Sequence, residues 1–438
     1  VAINDGRLAD FFARHRERFV WLAAQIDGAR RKAGTGGAAV WVIDLKRRAF
    51  VTLPAVEEQS MAERVLAPLI RATEWEVCQG CAAKQVCPMR SNAAALQRGE
   101  VRERLEYLLL ISHLRRERHT TMRDLRSAFA YLITANTSCA EVHSARHGDS
   151  GNGAHSDVTL VDRLYWRSAF APVDDSDDLL ADLTTLDPAR FPQPRLDRFL
   201  HFHRAAGDTM GRKELFMGNS DLSPHEFANE EDWLAAMKRR YYFESAGGAN
   251  GATARVAWHA LLPYRHATGF FDLLEGRGDE REALDELALG LLRSDGYAGP
   301  VREAWLSLKV DASEAQQLVV LKQFSLKQFQ LRVERPVGEE WVEAIADTLT
   351  LEHRSGTPRL TITLDLYELL QQFAEGVQPD APEYRPLLED LAPFKSALLR
   401  QQTTDLVLVE GQRREHMVSQ REGKIVRRPA DEHGGMGA

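Results

Sequence analysis

Three of the four cysteines in this 438-residue chain fall within ten residues, in "WEVCQGCAAKQVCPMRSN" (75–92). The spacing is Cys78-x2-Cys81-x5-Cys87. A Cys-x-x-Cys turn aims two sulfurs at one point, and zinc takes four such donors in a tetrahedron at about 2.3 Å. The fourth donor has to come from elsewhere in the chain. Cys139, in "NTSCAEVH", is the preferred candidate, and His143, four residues further on, is the alternative. An iron–sulfur cluster on the same ligands and a Cys-x-x-Cys redox pair with a separate buried thiol are the competing readings. No general acid or base motif surrounds the cluster. The expected metal is therefore structural zinc, pinning the 75–92 loop to a helix that ends near residue 135.

Composition sets the bounds. A chain of this length predicts roughly three domains. Its 44% hydrophobic and 27% charged content fits globular folding. The net charge of −8 gives no support to nucleic-acid binding by the whole surface, although arginine runs leave local basic faces. No apolar run approaches the ~18–20 residues that span a bilayer, so no membrane partner is expected. The sparse, clustered cysteines point to a reducing cytoplasm. "VAIND", at the first five positions, reads as the end of a buried strand entering a turn, so sequence upstream of Val1 is expected; a trimmed natural start is the alternative.

The expected fold class is α+β and multidomain. Residues 1–55 read as strand end, helix and strand ("AAVWVIDL", 38–45), the remnant of an α/β core. In 56–145, a helical lid carries the cysteines. Leu105, Leu108, Leu109 and Leu114 share one helix face. A second helix, capped by Thr120 or Thr121, buries Met122, Leu125, Phe129, Leu132 and Ile133. Arg123, Arg126 and Ala130 lie on its other side. A Gly/Ser/His-rich loop at 144–157 separates a helical domain at 158–300. From 301 to 428 the period becomes that of strands, in "AWLSLKV", "QLVVLKQF", "FQLRVER" and "LTITL". "DLYELLQQFAEG" is a helix closed by Gly376, a two-turn meander follows, and 429–438 is a frayed tail.

The first 135 residues resemble the C-terminal part of an AAA-type P-loop ATPase. "VAIND" with "GRLADFF" looks like the fourth core strand and its helix, "GAAVWVIDLKRR" like the fifth strand, and "RERHTTMRDLRSAFAYL" like the lid helix. The resemblance implies that Asn4 orients the attacking water and that Arg123, with Arg126 beside it, faces the nucleotide phosphates. Arg30 and Arg31 lie where oligomeric relatives place an arginine finger. With its cysteine-bearing insertion, the pattern resembles bacterial ATP-binding proteins, and phage defence enters only by association with them. The chain departs from the family in having no G-x4-G-K-[ST] and no Walker B acidic pair before Asn4. ATP and Mg²⁺ would be held by an upstream part, and this polypeptide alone is expected not to hydrolyse ATP.

As a second metal site His143, His147, His155, His201 and His203 are conceivable, but histidines so spaced in a loop read as solvated. "DDSDD" (174–178) reads as a helix start rather than a calcium loop, and the basic C-terminal stretch as a charge-protected edge strand. Two functions follow. One is the lid and C-terminal regulatory or recognition portion of a nucleotide-driven bacterial ATPase, as a homo-oligomer or with a partner protein. The other is a non-enzymatic zinc-containing interaction or nucleic-acid-associated scaffold.

Overall fold

The computed structural model describes residues 5–31, 48–56, 58–115, 120–147, 160–171, 178–206, 227–245, 256–299, 301–310, 318–334, 343–377, 384–401, 405–410, 414–421 and 424–429. Asn4, the strand expected at 38–45, most of the 144–157 loop including His155, residues 174–177 and the tail from 430 lie outside them, as does residue 1 to 3 of "VAIND". The chain is an α+β protein, helical up to residue 293 and strand-rich beyond.

The N-terminal amphipathic stretch forms two helices rather than one, α1 (Asp5–His15) and α2 (Val20–Arg31). Arg16 bridges the break to Asp27 at 2.7 Å. Three helices build the framework that follows, α3 (Met61–Ile70), α4 (Pro88–Leu96) and α5 (Gly99–Leu114). The leucine face read from the sequence is the core side of α5: Leu105, Leu108, Leu109 and Leu114 are all buried. The next helix, α6 (Met122–Thr134), starts at a capping box in which Thr121 and Asp124 satisfy each other's backbone N–H. It buries Leu125, Phe129, Leu132 and Ile133 as expected. Met122 is 40% exposed instead, because it occupies the first helical position, before the stripe turns inward.

After α6 the backbone turns sharply through Ala135 and Asn136, both at positive φ (46° and 53°), into α7 (Cys139–His147). A left-handed conformation at a non-glycine residue costs about 1–2 kcal/mol, so the packing of α7 has to offset it. The helical part is completed by α8 (Tyr165–Ser168), α9 (Asp178–Thr185), α10 (Pro194–Ala206), α11 (Glu230–Glu244), α12 (Ala267–Leu274) and α13 (Glu280–Arg293). Pro194 opens α10, with its fixed φ suited to the first helical position.

Strands β1 (Trp305–Lys309), β2 (Leu318–Ser325), β6 (Asp405–Glu410), β7 (Arg414–Arg421) and β8 (Lys424–Pro429) form one antiparallel sheet in the order β1-β2-β6-β7-β8. The basic C-terminal stretch thus supplies an inner strand, β7, as well as the edge strand β8. Strands β3 (Phe329–Glu334), β4 (Thr348–His353) and β5 (Arg359–Ile362) make a three-stranded meander. In β5 exposure alternates residue by residue, with Leu360 and Ile362 turned inward. Between the sheets' strands run α14 (Leu364–Ala374) and α15 (Arg385–Arg400). Gly376, at φ 87°, closes α14 as the sequence predicted.

The main hydrophobic core of the described residues runs from Phe50 to Leu398 and joins the helices to both sheets. At its tightest point Gly290 of α13 meets the backbone of α14. A Cβ there would overlap the Leu370 carbonyl oxygen. On the other side of α13, Leu292 and Tyr297 pack with Leu321, Val407 and Val409 of the larger sheet. Polar pins complete the frame. Glu244 accepts from Arg98 (2.6 Å), Arg240 (2.9 Å) and the Tyr165 hydroxyl (2.9 Å). Arg104 donates to the Tyr242 and Ser245 carbonyls, which neutralises the C-terminal end of α11.

Candidate metal centre

The cysteine-bearing loop is built of turns. A 3₁₀ stretch spans Ala72–Gly80, and the Cys81 N–H donates to the Cys78 carbonyl at 3.2 Å, closing the Cys-x-x-Cys turn. Cys87 stands at the N-cap of α4, with Pro88 pre-set for the first helical position. Arg90 reaches back from α4 to the Lys84 carbonyl, and Lys84 donates to the Gln79 carbonyl at 3.1 Å. Both hydrogen bonds tighten the loop between the second and third cysteines. Trp75 anchors its start through an indole N–H bond to the Leu69 carbonyl at 3.0 Å.

The opposing wall is α7. Ser138 and Glu141 form a reciprocal cap at its start, which fixes the direction of the helix. This cap also holds the Glu141 carboxyl below its usual range, through hydrogen bonds from the Ser138 backbone and side chain. Val142 is buried against Ala83 and Met89, with Cys81 and Cys87 packed on the same small cluster. Cys139 and His143 are four residues apart, hence on one face of the helix. His143 Nε2 approaches Cys81 Sγ to 3.4 Å across 62 residues of sequence.

Cys78, Cys81 and Cys87 are half-buried and Cys139 is exposed. Burial pushes the Cys78 thiol up, and the charges of Cys87, Cys139 and Cys81 add to it against the opposing charge of Arg90. The loop thiols and the α7 thiol are therefore electrostatic neighbours. They do not yet enclose a point: among the described residues no three His, Cys, Asp or Glu side chains are arranged around an ion. The Cys81–His143 pair is the part already at ligand spacing. Two tetrahedral zinc ligands, one sulfur and one nitrogen, stand about 3.6 Å apart. The donor set, soft thiolates with one imidazole, fits zinc, and iron–sulfur ligation asks for the same thiolates.

Comparison with protein-family models, with curated proteins and with solved structures gave no match.

The remaining residues singled out by sequence are dispersed. Arg123 and Arg126 are exposed near the start of α6, on the face away from its buried stripe. His201 pairs with Glu230 at the surface. No helix among the described residues is long and apolar enough to cross a membrane. Sequence reading missed Asn92, which is fully buried just beyond the loop. Its amide nitrogen donates to the Ile133 and Arg163 carbonyls (3.0 and 2.8 Å), so the loop-bearing helix α4 is tied to the end of α6. It also missed His266. The imidazole of that residue lies between Glu368 of α14 (3.1 Å) and Glu375 just past its end (3.0 Å). The bond to Glu368, reinforced by both carboxylate charges, overrides burial and pushes His266 up to about 9. An asparagine or histidine whose partners lie 41 to 109 residues away leaves no local signature.

Proposed function

We propose that this chain is a zinc-braced α+β lid and recognition module of a nucleotide-dependent protein. The observation that carries the metal part is the 3.4 Å approach of His143 Nε2 to Cys81 Sγ. It brings α7 onto the Cys-x-x-Cys turn with Cys139 on the same helix face. Side-chain rotation of the thiols would complete a four-donor set from Cys78, Cys81, Cys87 and either Cys139 or His143. Such a set leaves no open position, so the metal would brace the loop against the turn after α6 rather than perform chemistry. Elemental analysis of protein purified without added metal tests this, with one zinc per chain expected. A brown protein containing iron and sulfide would replace zinc by a cluster, and a metal-free protein would end the reading.

The nucleotide part rests on the resemblance of the first 135 residues and on the exposure of Arg123 and Arg126. ATP would be held by a P-loop segment outside this sequence, with Asn4 placing water and Arg123 neutralising phosphate charge. Equilibrium dialysis of ATP against the full gene product tests it. Removing both arginines should weaken binding by about ten- to a hundredfold, the worth of a charged hydrogen bond. Unchanged affinity would leave the scaffold reading. That second reading is favoured by Val77 and Val86, which precede the outer cysteines and are 82% and 47% exposed.

A further inference from the structure

The candidate centre offers five donors, of which the Cys81–His143 pair is already at ligand spacing, where a closed tetrahedral site uses four. The surplus can be assigned, given the metal reading above. Val142 seats α7 on the loop, and from there His143 is in contact with Cys81 while Cys139, at the first position of the helix, faces solvent. Among the four thiols Cys139 is the exposed one. A structural ligand is ordinarily shielded, and a thiol open to solvent beside a metal–thiolate cluster is open to small oxidants.

We infer that Cys78, Cys81, Cys87 and His143 form the closed set, and that Cys139 is a spare thiol whose oxidation by a hydroperoxide releases the metal. In the first step the Cys139 sulfur attacks a peroxide oxygen. The O–O bond breaks, water leaves, and Cys139 becomes a sulfenic acid. In the second step the Cys78 sulfur attacks the Cys139 sulfur, the S–O bond breaks, the disulfide forms and a second water leaves. Two thiols lose two electrons and two protons, and one hydrogen peroxide becomes two waters. Cys78 is the partner because it shares the Cys-x-x-Cys turn with Cys81, against which the His143–Cys139 face of α7 sits, and Cys81 is already engaged by His143. Loss of Cys78 leaves Cys81, Cys87 and His143, an incomplete set, and a dithiol reductant reverses the reaction.

The test uses the purified zinc-loaded chain, one equivalent of hydrogen peroxide, a chromogenic chelator and mass-spectrometric disulfide mapping. Wild-type protein should release its zinc and gain a Cys78–Cys139 disulfide, both reversed by dithiothreitol. Cys139→Ser should purify with one zinc per chain and release none at that dose, whereas His143→Ala should purify without metal. Circular dichroism of Cys139→Ser and of a second variant, Cys139→Ala, confirms that each is folded. If both variants purify folded but without zinc, Cys139 is a ligand and the inference falls while the zinc reading stands. If they release zinc as the wild type does, the spare thiol is not the sensor. Wild-type protein purified without metal would overturn the zinc reading itself, and this inference with it.

Discussion

The side-chain oxygen of Asn92 accepts the Tyr165 N–H at 2.8 Å, across 73 residues of sequence. With its two donated bonds, one fully buried amide satisfies three backbone groups from separate segments: the end of α6, the turn at Arg163 and the start of α8. The helix that begins at Cys87 is thereby fixed relative to the turn that delivers Cys139 and His143.

Asn92→Ala should therefore destabilise the fold by about 2–4 kcal/mol, since each buried group left unpaired costs about 1–3 kcal/mol and some will find water. Urea unfolding checks this, and the metal content of the variant shows whether loosening the frame also loosens the centre.

Removing the metal with a chelator should act locally. The loop at 72–90 and α7 rest mainly on the small cluster around Ala83, Met89 and Val142, while α5 and α6 lie in the main core. Hydrogen exchange should accelerate in the loop and α7 and stay slow in α5 and α6. Uniform acceleration would make the metal a requirement for the whole fold.

Glu244→Ala should cost about 3–5 kcal/mol, the penalty for leaving buried cations without their carboxylate. Burial alone would raise the Glu244 carboxyl, but Arg240 and Arg98 outweigh it and hold it below its usual range. A depressed folded value means that this stabilisation is present above about pH 4.3 and is lost as pH falls through the folded value. Acid unfolding of Glu244→Gln should accordingly be less steep than that of the wild type.

His266 predicts the opposite slope. Its folded value of about 9 lies above the ordinary 6.5. The folded state therefore holds the extra proton, and the stabilisation is complete below pH 6.5 and lost as pH rises through 9. The loss should be about 2 kcal/mol, less than the full shift implies because the imidazole is 22% exposed. His266→Gln should flatten the stability profile between those limits in urea titrations.

Much of the fold was legible where periodicity is strong. The C-terminal strands announce themselves by alternation, and the α5 and α6 faces by their leucines. Strand β4 escaped notice as a short "TLTLEH" beside a turn, and α15 because Pro386 and Pro393 argue locally against a helix. The break between α1 and α2 was hidden by apolar spacing that continues through it. At the candidate centre, spacing alone nominated all five donors. What it could not supply was the left-handed turn at Ala135 and Asn136, which decides where α7 points.

Gly290 shows how much can depend on an absent side chain. Helix α13 leads into the larger sheet and α14 follows directly from the smaller one, so the close approach at Gly290 joins the two segments that carry the sheets. Even a methyl group would act as a wedge between the two helices, forcing the Leu370 backbone to give way.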